Sequence, residues 1–419
     1  MTEDPEQGPA TRASWRQIGP GIVIAATGVG AGDLVASARA GAELGLTILW
    51  AVVLGALLKL ALNEGLARWQ LATGTTLIEG WMRHLPTWVS VYFFLYLVLW
   101  AFLVAGGLTA ACGLAAHALF PGLSVMAWGV LHSLAALALV WLGRYLLFER
   151  VMKGLIAVMF VVVLACAAIS RPDWSAVVSG LTIPRLPEGG LPFVLALCGG
   201  VGGSVTLLAY GYWIRERGWQ DAQALRTARL DLGIAYGLTA VFGVALVMIA
   251  SGIGAESLSG NAMALALADR FGEIAGPVLR LVFLTGFWGA VFSSLLGVYQ
   301  GVPYLFADSL HCWRQRRADR FPPLEPGMTR GPAYRGFLLF MALLPLTLLL
   351  VDRPVWIVLI YAIAGSFFMP FLAGTLLVLN NRRAWIGNRL GNGWLANVGL
   401  AAALILFFVL MVRTFTERL

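Results

Sequence analysis

Apolar runs of about 20 residues, enough to cross a hydrocarbon core about 30 Å thick, recur along nearly the whole chain with short polar joints between them. Read in order, they predict eleven membrane-spanning helices: Pro20–Gly45, Leu46–Gln70, Trp88–Leu119, Leu123–Leu142, Leu155–Ser170, Leu191–Ile214, Leu232–Ile253, Pro277–Leu305, Gly336–Val351, Val355–Leu379 and Trp394–Val412. The joints read as a short tail before the first span, a basic link GRYLLFERVMK and a Pro- and Gly-rich loop RPDWSAVVSGLTIPRLPEGG. A long basic linker, SLHCWRQRRADRFPPLEPGMTRGPAYRG, and the turn NNRRAWIGNRLGNG complete them. None of these is long enough for a soluble domain.

Composition agrees. The chain is 59% hydrophobic and 12% charged, with mean hydropathy +0.82, where a soluble domain carries roughly a quarter charged residues. Its net charge of +8 follows from placement: with the N-terminus cytoplasmic, most Lys and Arg fall on cytoplasmic segments, as the positive-inside rule requires. The basic balance therefore reports orientation in a cell membrane and excludes a nucleic-acid partner. The four cysteines, Cys112, Cys166, Cys198 and Cys312, are scattered and read as packing residues.

The first span is unusual. It carries Gly21, Gly28, Gly30 and Gly32, with Asp33 immediately after, although each interior Gly costs a helix about 1 kcal/mol relative to Ala. Backbone that leaves the helical path inside a membrane is tolerated only where it is buried in protein or lines a wet cavity, and a carboxylate there marks a functional site. The sixth span repeats the feature: Gly28-Val29-Gly30-Ala31 is echoed by Gly200-Val201-Gly202-Gly203 five spans later. An odd number of spans per half inverts the second half, which predicts an all-α polytopic protein built as a 5+5 inverted repeat with discontinuous helices one and six. The predicted division is a cytoplasmic tail 1–16, a first repeat 17–170, an extracytoplasmic loop 171–190, a second repeat 191–380 and an added helix 381–419. The competing explanation of the glycines is close helix packing by small residues.

Several stretches resemble the Nramp family of divalent metal transporters over nearly the entire chain: ARAGAELGLTILW, LARWQLATGTTLIEG, GFWGAVFSSLLGVYQG and YAIAGSFFMPFLAGTLLVLNN. The resemblance implies a LeuT-like broken-helix fold that moves divalent cations inward, usually with protons. The departures lie at the site. The family's Asp-Pro-Gly-Asn aligns with Gly30, Ala31, Gly32 and Asp33, and its Met-Pro-His with Gly203, Ser204 and Val205. The usual metal-binding Asp, the thioether and the histidine are absent, and a carboxylate stands at the Asn position.

A thioether selects softer metals, whereas carboxylate, carbonyl and water oxygens suit magnesium, calcium and manganese. Asp33, with Thr27, Ser37, Ser204 and the backbone at Gly30, Gly200 and Gly203, is the candidate cation site, suited to a hard or partly hydrated ion. The alternative for Asp33 is that it caps the outer half of helix one. Lys59, Asn63, Glu64 and Arg68 lie on neighbouring turns of the second span. They read either as a nearly neutral cluster locking that helix, with Glu64 pairing Arg68 and Lys59, or, as Glu64, Lys59 and Arg68 together with Ser37, as an ion or proton path. Arg39 and Glu43 read as an outer salt bridge. His84, His117, His132 and His311 fall in neither break, so coupling to protons stays open. Trp50, Trp88, Trp100, Trp128 and Trp394 read as interfacial anchors.

The expected function is a secondary transporter of divalent metal cations, magnesium- or manganese-like, without a cofactor. The alternatives are transport of a non-metal solute on the same scaffold or a membrane scaffold without transport. An enzyme is excluded by the lack of a nucleophile and base, of HExxH and of paired aspartates on neighbouring helices. The sequence carries no mark of oligomeric state.

Overall fold

Pro20 opens the first helix, α1 (Pro20–Gly28), at a position where its missing amide costs nothing. The computed structural model describes residues 19–416 except 201–202, 220, 252–262, 318–327, 352–363, 366 and 389, so the tail 1–16 and the start of the tenth span lie outside the described residues. The helical path breaks after Gly28: Val29 is extended (φ −81°, ψ 96°), as is Gly30 (φ −147°, ψ −155°), and α2 (Ala31–Leu44) resumes beyond them. The predicted discontinuity in helix one is present.

The next elements are α3 (Leu49–Thr73), a short α4 (Leu77–His84) capped by the Thr76 hydroxyl, α5 (Thr87–Leu119), α6 (Val125–Trp141) and α7 (Tyr145–Ile169). The basic link before the fifth span is therefore mostly helix. Glu149 explains this, because it accepts both Lys153 and Arg217 at 2.7 Å and holds the first turns of α7. Inside the Pro- and Gly-rich loop lies α8 (Trp174–Thr182), capped by Asp173, whose carboxylate accepts the Ser175 amide at 2.9 Å.

Helix six is likewise in two parts. α9 (Leu191–Gly200) ends at the second glycine cluster. After Gly203 and Ser204 a 3₁₀ turn, Val205–Leu208, leads into α10 (Ala209–Glu216). Then come α11 (Leu225–Ala250), α12 (Met263–Ala275) and α13 (Pro277–Arg317). At 1.5 Å per residue α13 is roughly 60 Å long, twice the hydrocarbon thickness. Its second half therefore leaves the apolar layer, and the start of the predicted linker is helical. α14 (Pro332–Leu343), α15 (Phe368–Asn381) and α16 (Trp394–Thr416) complete the chain. Among the described residues, seven helical runs are long and apolar enough to cross a membrane.

α13 packs against α5 and α7, α11 packs against α2 and α3, and α1 is held between α11, α13 and α7. The start of α1 is fixed by a buried acid. Asp231 of α11 accepts the amides of Gly19 at 3.1 Å and Gly21 at 2.6 Å, together with the Tyr210 hydroxyl of α10 at 3.0 Å. One carboxylate thus caps helix one and ties it to helix six.

Replacing Asp231 by Ala leaves two buried amides and a phenol without their acceptor. We expect a loss of about 2 kcal/mol or more, read as a lower melting midpoint of the purified protein, with Tyr210→Phe costing less because it removes one donor.

Candidate functional site

The C-terminal carbonyls of α1 have no helical partners once the helix stops. Two hydroxyls from α13 take them: Ser293 donates to Ala26 O at 2.8 Å and Ser294 to Val29 O at 3.3 Å. The family-like SSLLG stretch is therefore what accepts the break. Thr27 donates to Val23 O at 2.6 Å within α1, leaving its lone pairs for another partner.

The two breaks meet. Gly203 has φ +79°, a left-handed conformation that side chains rarely adopt, and a Cβ there would lie 2.8 Å from Thr206 Oγ1 and 3.4 Å from the Gly28 Cα. Gly30 is constrained differently, since its Cβ would lie 2.4 Å from Ser294 Oγ. Glycine at one break answers backbone conformation, and at the other the close approach of α13.

Between the breaks is a cavity of about 70 Å³ walled by Thr27, Gly28, Gly30, Gly32 and Asp33 on one side and Gly203, Ser204 and Thr206 on the other. Ser294 and the apolar Trp100, Val104, Leu108 and Val298 close it. A water needs about 10–15 Å³ by this measure, so the cavity takes a small ion with several waters. A larger cleft of about 360 Å³ lies around Leu44, Gly45, Ser179 and Arg185, away from both breaks.

Asp33 is buried, 3% exposed, in the first turn of α2, where the positive end of the helix favours a carboxylate. The N-cap is Gly30, so the capping alternative for Asp33 gives way to a place on the cavity wall. Gly200 is the last residue of α9, and Ser37, buried one turn beyond Asp33, is not among the described residues of that wall. Trp100 is a cavity-wall residue, 2% exposed, and not an interfacial anchor; its ring is turned inward from α5. None of the four histidines lines the cavity.

The charge cluster of helix two divides. Glu64 accepts Arg68 at 2.6 Å and Arg229 of α11 at 2.8 Å, so its second partner comes from another helix and not from Lys59. Lys59, fully buried, donates to the Gly203 carbonyl at 2.5 Å. Arg39 and Glu43 form no ion pair with each other among the described residues; both are exposed, where such a pair contributes little.

The side of the site nearer α10 is tied by side chains. Tyr212 donates to Asp308 at 2.5 Å and Tyr304 to Glu216 at 2.5 Å, Gln70 donates to the Gly211 carbonyl, and Trp213 to Gln300. Among the described residues no group of three or more His, Cys, Asp or Glu is placed to hold a metal. Any cation between the breaks would be held by Asp33, hydroxyls, carbonyls and water.

The family model described as Nramp, natural resistance-associated macrophage protein-like, matches residues 21–417. The divalent metal cation transporter MntH of Mycobacterium leprae (strain TN) is 25% identical over 409 residues, covering 94% of this chain and 90% of the relative. The MntH of Chromohalobacter salexigens is 27% identical over 344 residues, covering 76% and 77%. A manganese transporter of Eremococcus coleocola, solved as a point mutant, shares the fold with TM-score 0.76 at 18% identity, covering 99% of this chain and 89% of that one. MhsT in complex with L-phenylalanine gives TM-score 0.64 at 17% identity, covering 97% and 99%.

Adding a methyl at the breaks separates their two constraints. Gly30→Ala collides with Ser294 Oγ and should lose most ligand response, with partial recovery in Gly30→Ala/Ser294→Ala. Gly203→Ala should not be recovered by relieving Thr206, because its backbone angle is itself strained. Thermal stability of each purified variant, with and without manganese chloride, measures both outcomes.

Proposed function

The chain belongs to the Nramp family, and from that premise we propose that it is a secondary transporter moving a divalent metal cation across the membrane by alternating access between the two broken helices. The observation that carries the reading is the cavity between the facing breaks, with Asp33 as the carboxylate on its wall. Half-helix ends and unwound carbonyls at mid-membrane are the usual means by which such folds hold ions. The related MntH proteins are named divalent metal cation transporters, which supports the substrate class.

Within that class the donor set favours a hard ion. Among the described residues the wall offers carboxylate, hydroxyl and carbonyl oxygens and no thioether or thiolate, a set that suits magnesium or manganese over softer metals. The volume leaves room for retained waters, which matters most for magnesium because it dehydrates reluctantly. We place Thr27, Asp33, Ser204 and the backbone at Gly30 and Gly203 around the ion, the N-terminus on the cytoplasmic side, and Glu64 and Arg68 in a structural bracket outside the path.

Purified protein in liposomes should take up manganese or magnesium in a saturable manner, and Asp33→Asn should reduce uptake at least about tenfold, the loss expected when a buried anion facing a cation is neutralised. Folded protein that moves no divalent ion would overturn the reading.

A further inference from the structure

Lys59 brings an ammonium to the edge of the site that the proposed function assigns to a cation: it contacts the carbonyl of Gly203, a residue of the cavity wall, and is not itself one of the lining residues. It rises from the middle of α3, is completely buried, and reaches the carbonyl of Gly203 at 2.5 Å. That carbonyl belongs to the left-handed residue at the second break and is one of the oxygens a bound ion would use. Asp33 of α2 stands on the wall of the same cavity as Gly203. A lysine is a compact point charge on a flexible stem, able to reach a break that its own helix does not enter.

Among the described residues the wall contributes one carboxylate, Asp33, and Lys59 brings one ammonium to the Gly203 carbonyl beside it, so the pair is formally neutral. A divalent ion entering between Asp33 and Gly203 meets like charge on one of its own oxygens, in surroundings where charges interact far more strongly than in water. The carbonyl has two lone pairs, but two cations sharing one oxygen repel each other strongly in such surroundings.

We propose that Lys59 is the specificity-determining residue of this site, a tethered cation on the Gly203 carbonyl that a divalent ion must displace in order to bind, so that the site holds divalent ions weakly and releases them readily. The inference rests on the proposed function. It differs from a structural role, in which the lysine merely holds α3 to the break and its loss would weaken folding and binding together.

The test compares full-length wild type, Lys59→Met and Lys59→Arg, titrated with manganese chloride and magnesium chloride and followed by calorimetry and thermal shift. Lys59→Met keeps the length of the stem without the charge and should bind about tenfold or more tightly, the change expected when a like charge a few ångströms away is removed. Lys59→Arg keeps the charge and should show no gain. Folded Lys59→Met with unchanged or weaker affinity overturns the inference alone, since wild-type binding would still support a cation site. If neither wild type nor Lys59→Met binds either ion, the cation-site reading fails and the inference with it. A second measurement needs no metal. Asp33→Asn should lower the melting midpoint in the wild-type background, where it removes a negative charge from the cavity wall while the ammonium stays, and much less beside Lys59→Met. Equal losses in the two backgrounds would show that the charges do not act on one another and would overturn the inference.

Discussion

A helix that stops inside an apolar layer leaves amides and carbonyls that water cannot reach, and each costs several kcal/mol unless something else accepts it. The architecture follows from where those acceptors and donors come from. At the start of α1, Asp231 of α11 accepts two amides; at its end, Ser293 and Ser294 of α13 take two carbonyls; at the second break, Lys59 of α3 takes a third. The elements α3, α11 and α13 are thus fixed around the interrupted segments by polar groups, in a layer where apolar packing alone gives little preference between one helix neighbour and another.

The same constraint shapes the electrostatics. A lone buried carboxylate would be costly, and so would a lone ammonium, but opposite charges near one another and near polarised helix ends offset much of that cost. Asp33 lies in the positive first turn of α2, and Lys59 lies on an exposed backbone carbonyl. The second cluster, Glu64 between Arg68 and Arg229, solves the same problem at some distance from the cavity by joining α3 to α11. The two clusters share a helix and a composition, yet one faces the breaks and the other brackets the bundle.

Much of this was legible in the sequence and some was not, for definable reasons. Glycines inside apolar runs are conspicuous because helices otherwise avoid them, so both breaks and their five-span separation could be read directly. The destination of Lys59 could not, because spacing along α3 puts Glu64 within reach and local pairing is the natural inference. Only the folded chain shows a stem crossing to a residue 144 positions away. Asp231 escaped notice for the same reason: its partners lie 210 and 212 residues away. Trp100 was misplaced because a tryptophan in an apolar run reads as an interfacial anchor, while its burial depends on the neighbours of α5. The serines of α13 did carry a signal, two adjacent hydroxyls inside an apolar span, and they proved to serve the backbone of α1.

Transport by exchange of access requires contacts firm enough to hold a state and cheap enough to leave it. The bonds around α10 have that character. Those from Tyr212, Tyr304, Trp213 and Gln70 come from side chains, so they can be traded for water without unwinding a helix, whereas the breaks themselves are fixed by hydroxyls and an ammonium on backbone carbonyls. Segments joined at such interruptions, with exchangeable side-chain bonds at one end, are what the alternating access proposed above would need, because motion would then concentrate where the hydrogen-bond ladder is already open. Under that proposal, the weakness of the glycine-rich segments as helices would let the rest of the bundle stay rigid.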